Sequence, residues 1–147
     1  MANLSYSGPV DYAVFEVPRG ARLGEAFRAL LARIDAGAIE LLDLEIIERG
    51  DDGRPLRRSV TVLETGDEFD LEVFVGADSG LLDDEDLALI VAELDTDSRA
   101  VVVVYEDRNL ADVAERLGAA GGRMLWSGGI DIVELEERIV TTEVDPV

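Results

Sequence analysis

The alternation of apolar and polar side chains predicts short strands and helices along the whole chain. A first strand is predicted at residues 9–17, and both of its faces are apolar after Tyr12, which is typical of a central strand. A helix is predicted at residues 23–35, because apolar residues recur there at helical spacing and Gly37 follows as a natural stop. A second strand is predicted at residues 39–48.

The second strand leads into a turn and a third strand. Within the second strand, Leu42, Leu44 and Ile46 are expected on one face, with Asp43 and Glu45 on the other. An Asp-Gly pair within residues 51–55 indicates a hairpin turn, and a third strand is predicted at residues 57–64. The pattern of residues 66–80 fits either a strand or a short helix.

The C-terminal part has a clearer pattern. A second helix is predicted from residue 83, with the acidic residues 83–86 in its first turn, where carboxylates can cap free N–H groups, and apolar residues at helical spacing up to Leu94. A strand at residues 99–106 contains four consecutive valines, which indicates burial on both faces. The remaining expectations are a third helix at 110–117, a fifth strand at 123–127 and a final helix at 130–139.

The order of these elements predicts an α+β fold. It begins as the ferredoxin-like β-α-β-β-α-β plan, an antiparallel sheet with helices on one face, and adds an α-β-α extension. The other face of the sheet is expected to be open or used for self-association. We expect one domain at residues 9–140, a flexible lead at 1–8 and a frayed tail at 141–147.

The charge of the chain restricts its partners. Its 147 residues carry 13 basic and 33 acidic side chains, a net charge of −20, and every basic residue is Arg. Such a field repels nucleic acids and anionic membranes and favours cations or a basic protein partner. The N-terminus has no signal-peptide pattern and the apolar runs are too short to span a membrane, so we expect a cytoplasmic protein.

Three missing residue types exclude most catalytic chemistry. The chain contains no His, Cys or Lys. It therefore has no imidazole base, thiolate nucleophile, Schiff-base lysine or P-loop lysine. We expect no enzyme, cofactor or metal, and the only defensible acid/base pair is Asp43 with Glu106. The acids around Asp95 fail the EF-hand pattern, because Ala100 stands where that loop needs Gly.

Four residues are candidates for ligand binding. Asp43 lies between two leucines and Glu106 ends the valine strand, and a carboxylate in an apolar sheet needs a partner. The two carboxylates either converge near an Arg as a cation or ligand site, or are ordinary salt-bridged sheet residues. Arg19 and Arg22 flank a turn before a helix, where free N–H groups attract anions, although a plain turn fits the same residues.

Three aromatic residues are candidates for an interface. Trp126 is the only tryptophan and is either a core residue or, if exposed, an anchor for a partner. Phe69 and Phe74 lie in the ambiguous 66–80 segment and could form an apolar patch. Symmetric self-association, most simply a homodimer, is the expectation that follows.

Short landmarks along most of the chain carry a resemblance. The chain resembles a family of short actinobacterial proteins of unknown function, which is similar in turn to predicted stress-associated bacterial membrane proteins. The resemblance implies a link to stress response, but the Gly-rich membrane segment of the wider group is replaced by the acidic residues 66–80. The landmarks are Gly8-Pro9-Val10-Asp11-Tyr12, Leu41-Leu42-Asp43-Leu44, Gly80-Leu81-Leu82, Val104-Tyr105-Glu106 and Ala120-Gly121-Gly122.

Two functional hypotheses follow from the residues. The first is a non-catalytic interaction or regulatory domain that self-associates. The second is a module that binds a small molecule or cation through the open sheet face or the turn from Arg19 to Gly24. A pocket with converging polar groups would favour the second hypothesis, whereas a broad exposed apolar surface would favour the first.

Overall fold

The computed structural model describes residues 6–64 and 69–128. Within them the chain forms one four-stranded sheet and three α-helices. The strands are β1 (Val10–Pro18), β2 (Ile39–Arg49), β3 (Pro55–Arg58) and β4 (Ser98–Asp107), and the helices are α1 (Gly24–Asp35), α2 (Asp84–Glu93) and α3 (Ala111–Ala119). The α+β class is confirmed.

The sheet is antiparallel throughout, with the strand order β1-β4-β2-β3. Because β4 lies between β1 and β2, the first β-α-β unit is split. The ferredoxin-like arrangement is not confirmed, since β4 and β2 occupy the centre of the sheet and the helices do not share a face. Helix α1 packs against one face of the sheet and α2 against the other.

The four valines of β4 explain why both faces are covered. Successive side chains of a strand point to opposite faces, so Val101 and Val103 enter the first core while Val102 and Val104 enter the second. The first core consists of Phe27, Leu44, Ile46, Val60, Leu63, Leu71, Phe74, Val101 and Val103. The second core consists of Ile47, Leu87, Val91, Leu94, Ala100, Val102 and Val104. The expectation of one open sheet face is therefore wrong.

Among the described strands, β1 lies at an edge of the sheet, which corrects the prediction that it is central. Within that part of the chain it pairs only with β4, and several of its apolar residues are exposed. The exposed ones are Val10, Tyr12, Val14 and Phe15. The predicted strand with apolar side chains is thus present, but many of these side chains are exposed to water.

The third strand ends earlier than predicted because Ser59 starts a 3₁₀ helix, Val60–Val62. The Ser59 hydroxyl accepts a hydrogen bond from the backbone N–H of Thr61, which favours a turn over an extended chain. Val60 then enters the first core. The ambiguous 66–80 segment contains a second 3₁₀ helix, Leu71–Phe74, begun in the same way by the carboxylate of Asp70.

The predicted ends of the helices agree better with the structure than those of the strands. Helix α2 begins with a capping box in which the carboxylates and backbone N–H groups of Asp83 and Asp86 hydrogen-bond reciprocally. Helix α1 ends before Gly37, whose φ of +74° suits glycine. The predicted fifth strand at 123–127 is wrong, because residues 122–128 form no regular secondary structure. The predicted final helix at 130–139 and the tail at 141–147 lie outside the described residues.

Candidate functional site

Two acidic side chains of β2 form a buried carboxyl pair. Asp43 is 0% exposed and Glu45 is 3% exposed. The register of β2 against β4 shifts between Leu41 and Asp43, which marks a β-bulge. As a result Leu42 packs against the second core rather than on the same face as Leu44. The bulge therefore places an extra apolar residue beside the carboxyl pair.

Each carboxyl group of the pair has one partner for one of its oxygens. The backbone N–H of Ser79 donates to Asp43 Oδ1 at 2.7 Å, and Arg57 Nε lies 2.9 Å from Glu45 Oε1. The other oxygens, Asp43 Oδ2 and Glu45 Oε2, are buried with no hydrogen-bond partner among the described residues. Two ionised carboxylates cannot hydrogen-bond to each other, but a proton held between them would satisfy both oxygens.

The surroundings favour such a proton on Glu45. Burial, followed by the hydrogen bond that only a protonated Glu45 can donate to Asp43 and by the negative charge of Asp43, raises the pKa of Glu45 from 4.5 to about 7, against the opposing effect of Arg57. Asp78 adds a further repulsive charge. The pair is too deeply buried to touch a substrate, so its chemistry is a structural one. It attaches the segment that carries Ser79 to β2.

A second charged cluster surrounds Glu48, which is 6% exposed. Arg19 Nη2 lies 3.2 Å from Glu48 Oε1, while Arg58 Nε and Arg99 Nη2 lie 3.7 and 3.6 Å from Glu48 Oε2. Arg99 Nη1 also donates to the carbonyl of Val62 at 3.3 Å. Three guanidinium groups from three parts of the fold thus converge on one carboxylate. We name this set, Arg19, Glu48, Arg58 and Arg99, the arginine cluster.

The third cluster joins the N-terminal lead to the end of β4. Arg108 Nη1 and the backbone N–H of Gly8 approach Glu106 Oε1 at 2.6 and 3.3 Å. The Arg108 guanidinium also lies over the ring of Tyr6, 5.1 Å from its centre, and the Tyr6 hydroxyl donates to the carbonyl of Asp107. Glu106 and Arg108 line a cavity of about 960 Å³ together with Asp35, Glu40 and apolar residues of α1 and β2.

The four predicted ligand-binding residues are therefore distributed over four places. Glu106 pairs with Arg108, whereas Asp43 accepts a hydrogen bond from the Ser79 N–H, so the two carboxylates have separate partners rather than one shared site. Arg19 joins the arginine cluster. Arg22 forms an isolated backbone bridge with Glu64 next to the start of α1.

The predicted interface aromatics also have different positions. Phe74 is buried in the first core, where its ring meets Phe27 edge-on at 5.4 Å and lies stacked on Phe69 at 6.2 Å. Trp126 is 83% exposed. Its position fits the alternative in which it contacts a partner rather than the core.

Exposed apolar side chains also lie on α3 and in the segment that follows it. The helix has no buried residue, and Leu110, Val113 and Leu117 are between 47% and 62% exposed. These residues recur at the spacing that aligns side chains along one helix face. Leu125 and Trp126, further along the chain, are exposed as well.

An apolar groove lies between β1 and α1. Its volume is about 560 Å³, and Glu16 is the one charged residue among those that line it. The small side chains of Ala26 and Ala29 leave the groove open along α1. The other lining residues are Phe15, Val17, Leu23, Phe27, Leu30, Val101 and Val103.

Sequence reasoning missed the roles of Glu48, Arg58 and Arg99. A signal was present, since β2 continues as Glu45-Ile46-Ile47-Glu48, with acids on both faces of a strand that is otherwise strongly apolar. Buried acids of this kind require cationic partners. Which arginines supply them depends on the strand order, which local patterns do not encode.

Comparison of the chain with known protein families, with characterised proteins and with solved structures finds no match. Within residues 6–64 and 69–128, no helix is long and apolar enough to cross a membrane. The same residues hold no group of three or more acidic side chains suitably placed for a metal ion. Functional inference therefore rests on the geometry of the clusters and surfaces described above.

Proposed function

We propose that this chain is a non-catalytic interaction domain that forms a homodimer, in which α3 of each copy packs into the α1–β1 groove of the other. The observation that carries the proposal is that α3 has an amphipathic pattern but no buried residue. Helical stability in proteins comes mostly from burial of the apolar face. An isolated nine-residue helix with that face in water is marginal, so a partner surface is expected.

The groove has the complementary character. Its described lining is apolar apart from Glu16 and includes two alanines of α1. Amphipathic helices bind apolar grooves by inserting side chains at such three- and four-residue intervals. Leu110, Val113 and Leu117 are about half exposed, so covering them would contribute on the order of 2–4 kcal/mol per copy, about half of the roughly 1.5–3 kcal/mol for each fully buried side chain.

A second copy is favoured because one chain carries both halves of the contact. A two-fold axis would form the helix–groove contact twice, and closed two-fold dimers are the commonest assemblies of identical chains. The edge strand β1 supplies one wall of the groove, so its exposed Phe15 would also be partly covered. A link to stress response is also part of this proposal, and it rests on the resemblance alone.

Charge predicts how the dimer responds to salt. Each copy carries a net charge of −20, so two copies repel each other and salt screens that repulsion. The dimer dissociation constant should therefore fall as salt rises. A basic partner protein would behave in the opposite way, because salt weakens attraction between unlike charges.

The test is sedimentation equilibrium with native mass spectrometry at two salt concentrations. Leu117→Asp should convert the dimer to a monomer, while Glu115→Gln on the same helix should leave it unchanged. Ala26→Arg, which fills the groove, should also give a monomer, whereas Ala32→Arg on α1 outside the groove should not.

Mixing the two disruptive variants provides the sharpest control. A Leu117→Asp copy keeps its groove and an Ala26→Arg copy keeps its helix, so the mixture can form one intact helix–groove contact. Partial recovery of a dimer in the mixture supports the proposal. A wild-type chain that stays monomeric at high salt, or a dimer that survives both variants, refutes it.

A further inference from the structure

We infer that the arginine cluster binds a phosphate group, either inorganic phosphate or a phosphate monoester. Three guanidinium groups approach Glu48 at 3.2, 3.7 and 3.6 Å. Among the described residues, the ion pairs of the cluster set three positive charges against one carboxylate, an excess of two. That excess matches the charge of a phosphate dianion.

The cluster also has unused hydrogen-bond donors. Each guanidinium carries five N–H groups, and one carboxylate with two oxygens cannot accept from all of them. Arg99 Nε is buried and has no hydrogen-bond partner within the described part of the chain. An unsatisfied buried donor on a charged group is costly, which indicates that a further acceptor belongs beside it.

The cluster is open on one side. The side chains of Arg99 and Glu48 are 10% and 8% exposed, but those of Arg19 and Arg58 are 46% and 44% exposed. The buried side chains of Arg99 and Glu48 thus form the base of the site. The half-exposed guanidinium groups of Arg19 and Arg58 face the solvent, from which an anion would bind. The planar guanidinium fork binds phosphate oxygens through two parallel hydrogen bonds.

The negative charge of the whole chain does not prevent such binding. Interactions between exposed charges are screened beyond roughly 8 Å at physiological ionic strength, so a bound anion is governed mainly by the arginines in contact with it. None of the three arginines lies on α3 or lines the α1–β1 groove. The phosphate site is therefore independent of the proposed dimer.

The experiment is isothermal titration of the full chain with inorganic phosphate and with O-phosphoserine, at constant ionic strength and well below the unfolding temperature. Arg58→Gln should weaken phosphate binding about tenfold, and Arg19→Gln should do so to a similar extent. Arg54→Gln is the matched control, because Arg54 lies just before β3 and pairs only loosely with Asp52 at 3.9 Å. Tighter binding of one of the two probes identifies whether the free ion or the monoester is preferred.

Glu48→Gln separates a binding site from a structural ion network. Removing the carboxylate that competes for the guanidinium groups should tighten phosphate binding several-fold, even though the variant is less stable without phosphate. A network that only supports the fold would give the loss of stability without the gain in affinity. Equal phosphate binding by wild type and the Arg19→Gln, Arg58→Gln double variant would overturn the inference.

Discussion

Replacing Glu45 by Gln should remove most of the pH dependence of stability above pH 5. Gln has nearly the shape of a protonated glutamic acid and can donate a hydrogen bond to Asp43, but it cannot ionise. In the wild-type chain the folded-state pKa of Glu45 is raised from 4.5 to about 7. The folded state therefore holds a proton between these two pH values that the unfolded state has released.

The sign of the effect follows from that difference. A state that binds more protons is favoured at low pH, so the contribution of Glu45 is fully present below pH 4.5 and is lost as pH rises through 7. Each pKa unit of difference corresponds to about 1.4 kcal/mol, so the loss is on the order of 3 kcal/mol at most. Solvent screening reduces this little, because Glu45 is 3% exposed.

Urea unfolding at several pH values from 5.5 to 8.5 measures the effect. The chain contains no His, so no other side chain with an ordinary pKa titrates in the middle of this range. Glu45→Gln should show a nearly flat unfolding free energy where wild type declines, and it should be more stable than wild type at pH 8.5. Glu40→Gln, an exposed change on the same strand, should decline as wild type does. A flat wild-type profile, or a parallel decline in Glu45→Gln, would refute the reasoning.

Three further substitutions test the packing. Gly8→Ala would place a methyl group 1.7 Å from the carbonyl oxygen of Asp107, so thermal denaturation should show a loss of roughly 1–3 kcal/mol, and an unchanged Tm would contradict that contact. Asp83→Ala removes the capping box of α2 and should cost about 1 kcal/mol in urea unfolding, whereas the exposed change Ala88→Ser should cost little. Ile47→Ala, at a side chain with 0% exposure, should cost about 2–5 kcal/mol, and a loss under 1 kcal/mol would show that the second core is loosely packed there.

The sequence predicted local structure where apolar spacing and end signals agreed. Helices α1 and α2 were placed to within a residue or two, because Gly37 and the acidic residues at 83–86 mark their ends. The valine run of β4 correctly predicted burial on both faces. The position of each strand in the sheet was harder to predict from the sequence. Both the central β4 and the edge β1 have apolar residues on both faces, so the pattern does not distinguish them.

The candidate site was predicted only in part. Asp43 was singled out because a carboxylate in an apolar strand needs a partner, and its burial confirms that environment. The partner of Asp43 was expected to be distant along the chain, but Asp43 pairs with Glu45 on the same strand. The β-bulge beside this pair could not be predicted, because the sequence has no turn residue there. The arginine cluster could not be predicted from the sequence, because the strand order brings Arg19, Arg58 and Arg99 together.

The position of β4 in the sheet also sets the order of events during synthesis. Strands β1 and β2 both pair with β4, yet β4 is the last of the four strands to leave the ribosome. About ninety residues separate the end of β1 from the end of β4, so at typical translation rates β1 waits roughly 5–20 s for its partner. Throughout that interval an apolar strand is unpaired in a nascent chain. The dense negative charge of the chain would then keep neighbouring nascent copies apart until the sheet can close.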